Sequence, residues 1–121
     1  MSAENPSKKS SLVVDVSDAV FTSTVVERSR ELPVIVDLWA PWCGPCRTLG
    51  PILEKVVTEA GGKVVLAKVD VDTNPATAQA FRVQSIPAVY VMRNGEILDG
   101  FVGSRPEHAV REFVASVIAA G

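Results

Sequence analysis

Only two cysteines and one histidine occur in this 121-residue chain. A zinc site usually takes four nitrogen or sulfur ligands. The two thiols plus His108, expected on a solvated helix face, fall short of that, so no metal is expected. Basic residues are also few: 12 Lys and Arg stand against 14 Asp and Glu, a net charge of -2. No basic run exceeds Lys8-Lys9, which argues against a nucleic-acid partner. No apolar stretch approaches the roughly 20 residues of a membrane helix, so no membrane role is expected. MSAENPSKKSS places two lysines before Leu12-Val13-Val14, but Asp15 ends that run short of the about 7–15 residues of a signal-peptide core. The expected compartment is therefore the cytoplasm, where a permanent disulfide is out of place. Residues 1–11 read as a disordered polar tail. No repeat or linker interrupts residues 12–121, which are expected to form one domain.

What is present is an alternation of apolar runs of strand length with amphipathic stretches of helix length, the pattern of an α/β domain. Residues 12–16 read as a short strand. Ser17 is expected to cap a helix reaching about Glu31, with Phe21 and Val25 on its buried face, although the Val and Thr content counts against it. Residues 32–39 (LPVIVDLW) are continuously apolar around one aspartate, as in a strand buried on both faces. Leu49, Ile52, Leu53, Val56, Val57 and Ala60 recur at helical spacing up to Gly61-Gly62, and Pro51 should kink that helix. Residues 64–71 form another buried strand, and Asn74-Pro75 opens a helix through Phe81. Asn94-Gly95 between residues 88–92 and 97–102 marks a hairpin. Ser104 and Glu107 fit a capping box before a helix whose apolar face is Val110, Phe113, Val114, Val117 and Ile118. The crossovers make the first strands parallel, and the hairpin adds an antiparallel pair. The expected fold is a mixed central β-sheet flanked by helices on both faces.

Both cysteines and both tryptophans fall in WAPWCGPC, residues 39–46. Cys43 is expected where a central strand gives way to a helix, facing unpaired N–H groups that favour a thiolate. Cys46 lies one helical turn on, within reach of a disulfide. Gly44 leaves room for an incoming disulfide, Pro45 suits a first helical turn, and Trp42 screens one side. A structural bridge around two residues would constrain the unfolded chain very little. A reversible redox pair is the reading that fits.

Asp37, in the buried strand, shares a face with Trp39. One reading has it reaching water at the sheet end. The other makes it a carboxyl with a raised pKa that takes the Cys46 proton. Lys68 either pairs with Asp37 across adjacent strands or snorkels from the sheet edge. Ile86-Pro87 begins the fourth strand, and composition does not distinguish cis from trans. A cis bond there would leave the Ile86 backbone free to pair with an extended substrate segment.

WCGPC after a buried VDLWA resembles the thioredoxin family. Pro51 in the kinked helix, AKVDVD around Lys68, NP at 74–75, SIP at 85–87, NGE at 94–96 and VG at 102–103 extend the resemblance over residues 12–120. It implies the thioredoxin fold and reduction of protein disulfides, without a cofactor. It casts Cys43 as nucleophile, Cys46 as resolving thiol, Asp37 as proton acceptor and Lys68 as its neighbour. It makes Pro87 cis, and gives Trp42, Ile86, Pro87 and Gly103 to the substrate surface. Oxidised client proteins and a thioredoxin reductase are the implied partners, and a monomer the expected state. Ala88 departs from the Thr that many thioredoxins carry. Residues 80–103 also resemble the thioredoxin-like domain of certain bacterial co-chaperones with helical-repeat tails. That leaves a second reading, a redox-capable holdase domain of a longer co-chaperone.

Overall fold

The computed structural model describes residues 12–121. The tail expected over residues 1–11 lies outside the described residues. The elements are β1 (Val13–Asp15), β2 (Val34–Trp39), α1 (Gly44–Glu59), β3 (Val65–Asp70), α2 (Pro75–Ala80), β4 (Ala88–Arg93), β5 (Glu96–Val102) and α3 (Glu107–Ala120). The sheet order is β1-β3-β2-β4-β5. β3 pairs in parallel with β1 and β2, while β4 runs antiparallel to β2 and β5.

Side chains alternate along β2, and that alternation divides the interior. Val34, Val36 and Leu38 join Ala67, Val69 and Met92 on one face. Ile35 points to the other, where Leu49, Leu53 and Val57 of α1 and Val110, Phe113 and Val117 of α3 pack. Asp37 and Trp39 share the parity of Ile35 and therefore face α1.

Residues 17–31 do not form the expected α-helix. They are helical, with Ser17 at the N-cap position, but as a 3₁₀ turn (Asp18–Val20), a π-helical stretch (Thr22–Val26) and a second 3₁₀ turn (Arg28–Arg30). Val20, Thr22, Thr24, Val25 and Val26 are β-branched, and their stiff side chains crowd a regular helix. Val25 is nonetheless fully buried. Phe21 meets Phe81 edge-on, with ring centroids 5.6 Å apart.

Two expected caps are also replaced. Asn74 holds the cap position of α2 but makes no capping bond of its own. Asp18 does so instead. Its carboxylate accepts from Ala76 N at 3.0 Å, Thr77 N at 2.8 Å and Thr77 Oγ1 at 2.7 Å. The Thr77 hydroxyl holds the Asp18 carboxyl below its ordinary range. Asn74 Oδ1 in turn accepts from Asp18 N at 2.8 Å. At α3, Pro106 in extended conformation is the cap residue, so the helix starts too late for Ser104 to reach it. Glu107 instead bonds Arg111, which also reaches Glu59 of α1.

α1 runs on through Pro51. The hairpin forms as expected, with Asn94 at φ 55° and Gly95 at φ 79°, the left-handed pair of a type I′ turn. Gly100 on β5 serves a different need. A Cβ there would lie 2.6 Å from Tyr90 Cδ1 and 2.7 Å from the Val89 carbonyl oxygen. The strand backbone cannot retreat without breaking its ladder, so Gly100→Ala should lose about 1–3 kcal/mol. A urea titration that leaves the midpoint unchanged would refute this close packing.

Candidate active site

β2 brings the chain to the site and α1 receives it. Cys43 is the N-cap of α1, with φ -87° and ψ 107°. Its sulfur accepts from Cys46 N at 3.2 Å, in the place where a Ser or Asp oxygen usually caps. Pro45 sits in the first turn, where an N–H has no intrahelical partner to lose. Cys43 and Cys46 are joined by a disulfide, with Cα atoms 5.3 Å apart. A Cβ on Gly44 would meet nothing within 4 Å, so the loop is open to an approaching chain.

Both cysteines are buried against Ala40, with Trp39, Val71 and Ile86 beside them. Cys43 Sγ lies 3.8 Å from the Ile86 carbonyl oxygen. On this outer side runs a groove of about 550 Å³, lined by Trp42, Val71, Pro75, Ala78, Val83 and Ile86 among others. Trp42 is 67% exposed and is fixed by donation from Nε1 to Asp72 Oδ2 at 2.9 Å. The Ile86–Pro87 peptide is cis. Ile86 precedes the β4 ladder, whose first pair is Ala88 with Val102. Gly103 closes the rim at φ 93°, donating its N–H to the Pro87 carbonyl at 2.8 Å.

The inner side is different. A cavity of about 220 Å³ beneath α1 is lined by Asp37, Trp39, Cys46, Gly50, Glu54 and Lys68 among others. Asp37 does not reach water at the sheet end: it is 1% exposed. Its Oδ1 and the Trp39 Nε1 are buried without hydrogen-bond partners among the described residues. Burial pushes the Asp37 carboxyl up from 3.8 to about 6, with the Lys68 ammonium opposing and Glu54 adding to the rise.

Lys68 stands in register with Asp37 on the neighbouring strand. The Asp37–Lys68 pair, one of the two readings open in sequence, does not form, however. Lys68 Nζ bonds Glu54 Oε2 at 2.7 Å and lies 5.2 Å from the centre of the Trp39 ring. Nor does Lys68 snorkel from a sheet edge, since β3 lies between β1 and β2. The part-exposed Glu54 carboxylate on α1 takes the ammonium instead.

The residues singled out in sequence thus converge: Cys43 and Cys46 at the centre, Asp37, Trp39 and Lys68 beneath, Trp42, Ile86, Pro87 and Gly103 around the outer rim. Glu54 and Asp72 were not anticipated. Glu54 follows Cys46 and Gly50 at successive four-residue steps, a spacing that places all three on one helical face. Asp72 carries no comparable signal. Among the described residues, no group of three or more His, Cys, Asp or Glu is placed to hold a metal ion, and no helix is long and apolar enough to cross a membrane.

The profile of the thioredoxin family matches residues 12–116. A thioredoxin of Haemophilus influenzae is 39% identical over 102 residues, covering 84% of this chain and 94% of its own. A mitochondrial thioredoxin of Bos taurus is 48% identical over 90 residues, covering 74% of this chain and 54% of its own. A Mycobacterium leprae protein named bifunctional thioredoxin reductase/thioredoxin is 35% identical over 116 residues, covering 96% of this chain and 25% of its own. With its fold, its cysteine pair at a helix N-terminus and these relatives, the chain belongs to the thioredoxin family, a thiol–disulfide oxidoreductase of protein-disulfide-reductase type whose redox pair is Cys43–Cys46.

Proposed function

We propose that Cys43 attacks a client disulfide and Cys46 resolves the resulting mixed disulfide. The supporting observation is that the sulfurs stand between two unlike spaces. Cys43 borders the apolar groove through Ile86, while Cys46 lines the cavity that contains Asp37. In the reduced protein the α1 N-terminus favours negative charge on Cys43 Sγ. That thiolate breaks the client S–S bond, forms the mixed disulfide and releases one client thiolate. Cys46 then passes its proton to the Asp37 carboxylate, directly or through one water. The Cys46 thiolate attacks Cys43 Sγ, the Cys43–Cys46 bond forms, and the second client thiolate leaves. The client gains two electrons and the pair loses two.

Trp42 and the Ile86 backbone border the path of the incoming client, with Pro87 and Gly103 shaping the rim. The chain acts as a monomer on oxidised proteins in the cytoplasm, without a cofactor of its own. A thioredoxin reductase returns the electrons, an assignment supported by the fused reductase in the name of the M. leprae relative. One observation favours a second reading, that of a holdase for unfolded clients. Outer strand β5 leaves Ile97, Leu98 and Val102 each more than half exposed.

Cys43→Ser should abolish reduction of a protein disulfide, and Cys46→Ser should accumulate the mixed disulfide as an adduct on a non-reducing gel. Full turnover by Cys43→Ser would sink the assignment. Asp37→Asn should slow the resolving step at pH 7 on the order of 10²-fold, read by the decay of a preformed mixed disulfide. Asp37 also predicts a pH-dependent stability. Its carboxyl holds a proton in the folded state up to about 6 but only up to 3.8 when unfolded. Stability therefore falls as pH rises through that window, by about 3 kcal/mol. Asp37→Asn removes this fall, so its advantage over the parent should be greater at pH 7 than at pH 4 in urea denaturation. An advantage equal at both pH values would contradict the raised pKa. For the holdase reading, the Cys43→Ser/Cys46→Ser double variant should still suppress aggregation of a denatured client, and loss of suppression would count against it.

A further inference from the structure

We propose that Glu54 is a positioning residue for the resolving step: it holds the Lys68 ammonium at the cavity mouth and so keeps Asp37 unpaired, free to take the Cys46 proton. The inference rests on the reading of Asp37 as proton acceptor.

Lys68 has carboxylates on both neighbouring strands, Asp15 on β1 among them, and on the helix above. Asp37 is its register partner on β2, and Glu54 projects from α1 above it. An ammonium is expected to turn toward the buried carboxylate, whose uncompensated charge is the more costly. The structure shows the opposite. Lys68 Nζ is bonded to Glu54 Oε2 at 2.7 Å, and Asp37 Oδ1 has no partner among the described residues.

Two features support that placement. A Cβ built on Gly50 would lie in ordinary contact with Lys68 Nζ, at 3.9 Å, so this turn of α1 passes directly beside the ammonium. The Trp39 ring backs the ammonium from the sheet side, its centre 5.2 Å away.

The surrounding charges leave Lys68 as the deciding cation. From α1, Arg47 also lines the cavity, but its Nη1 donates outward to the Pro41 carbonyl at 3.3 Å. From β1, Asp15 is in register with Lys68, and Asp70 lies two residues on in β3. Both line a neighbouring cleft of about 370 Å³ that Lys68 also borders. β4 offers only Val89 opposite Asp37.

An ammonium paired directly to Asp37 would hold the carboxylate ionised and make it a weak base. Paired to Glu54, it leaves Asp37 with a proton affinity suited to receiving a proton near neutral pH. The proton balance is simple: Cys46 loses one, Asp37 gains it, and it leaves later through the mouth that Glu54 and Lys68 border.

The test is a ¹³C NMR titration of the Asp37 carboxyl in the oxidised protein, with the pH profile of the resolving step measured beside it. Glu54→Gln releases the ammonium toward Asp37. It should move the Asp37 titration down by about one pH unit and slow resolution about threefold at its plateau. Lys68→Gln should move the titration up. In the Lys68→Gln background, adding Glu54→Gln should move it much less than in the parent, because no ammonium remains to release. Glu54→Asp, which keeps the charge, should restore most of the parental profile. The proposal is overturned if Glu54→Gln leaves the titration in place, or shifts it equally with and without Lys68. The titration reads the positioning independently of the chemistry. Failure of the underlying reading shows elsewhere, as a parental resolving rate in Asp37→Asn.

Discussion

The parallel pairing of β2 with β3 sets Asp37 beside Lys68, on the sheet face that α1 covers. The proton handling proposed for the site depends on this register. Slipping β2 by one residue would turn Asp37 to the opposite face and bring Val36 or Leu38 beneath Cys46. The apolar residues on both sides of Asp37 forbid such a slip, because they are needed in two separate layers of the core. The same strand ends at Trp39, four residues before the N-cap sulfur. Strand register thus places the carboxyl under the helix, and strand length places the sulfur at the helix start.

The disulfide forms a partition between an open, apolar-lined surface and a small interior cavity. In the proposed cycle electrons cross at the sulfurs, on the side of Trp42 and Ile86, and protons move below, in the inner cavity. On that reading the outer rim is separate from the inner cavity and its fixed set of charges. The arrangement has a thermodynamic counterpart, since an ionised carboxylate in this interior opposes folding. The fold accepts that opposition at one residue of β2 and offsets it with continuous apolar burial on either side.

The parts legible in sequence were those fixed by neighbours along the chain. WAPWCGPC, the buried parity of Asp37 and the Asn94-Gly95 turn each announce themselves within a few residues. What went unread was decided by distant partners. Asn74 looks like a cap because caps are normally local, yet Asp18 supplies the oxygens from 58 residues away. Ser104 and Glu107 have capping-box spacing, but Pro106 delays the helix, and Glu107 turns to Lys55 and Arg111. Lys68 meets neither of the two fates a strand-by-strand reading offers, pairing with Asp37 or snorkelling from an edge, because such a reading does not weigh a helix crossing above. The segment 18–30 is helical and buries Val25, as its apolar spacing implies, but its β-branched content keeps it from the regular α form.

The Asp18 cap has a meaning for anyone dividing this molecule. Asp18 holds the first turn of α2, and α2 contributes Pro75 and Ala78 to the groove wall. The groove wall proposed to face clients is therefore moored to the N-terminal end of the described chain, not to the redox loop. A fragment beginning after Asp18 would keep both cysteines, the inner cavity and four of the five strands while losing the clamp on its binding wall. The redox pair and the groove wall are in this sense separable cargoes, carried by different stretches of one small domain.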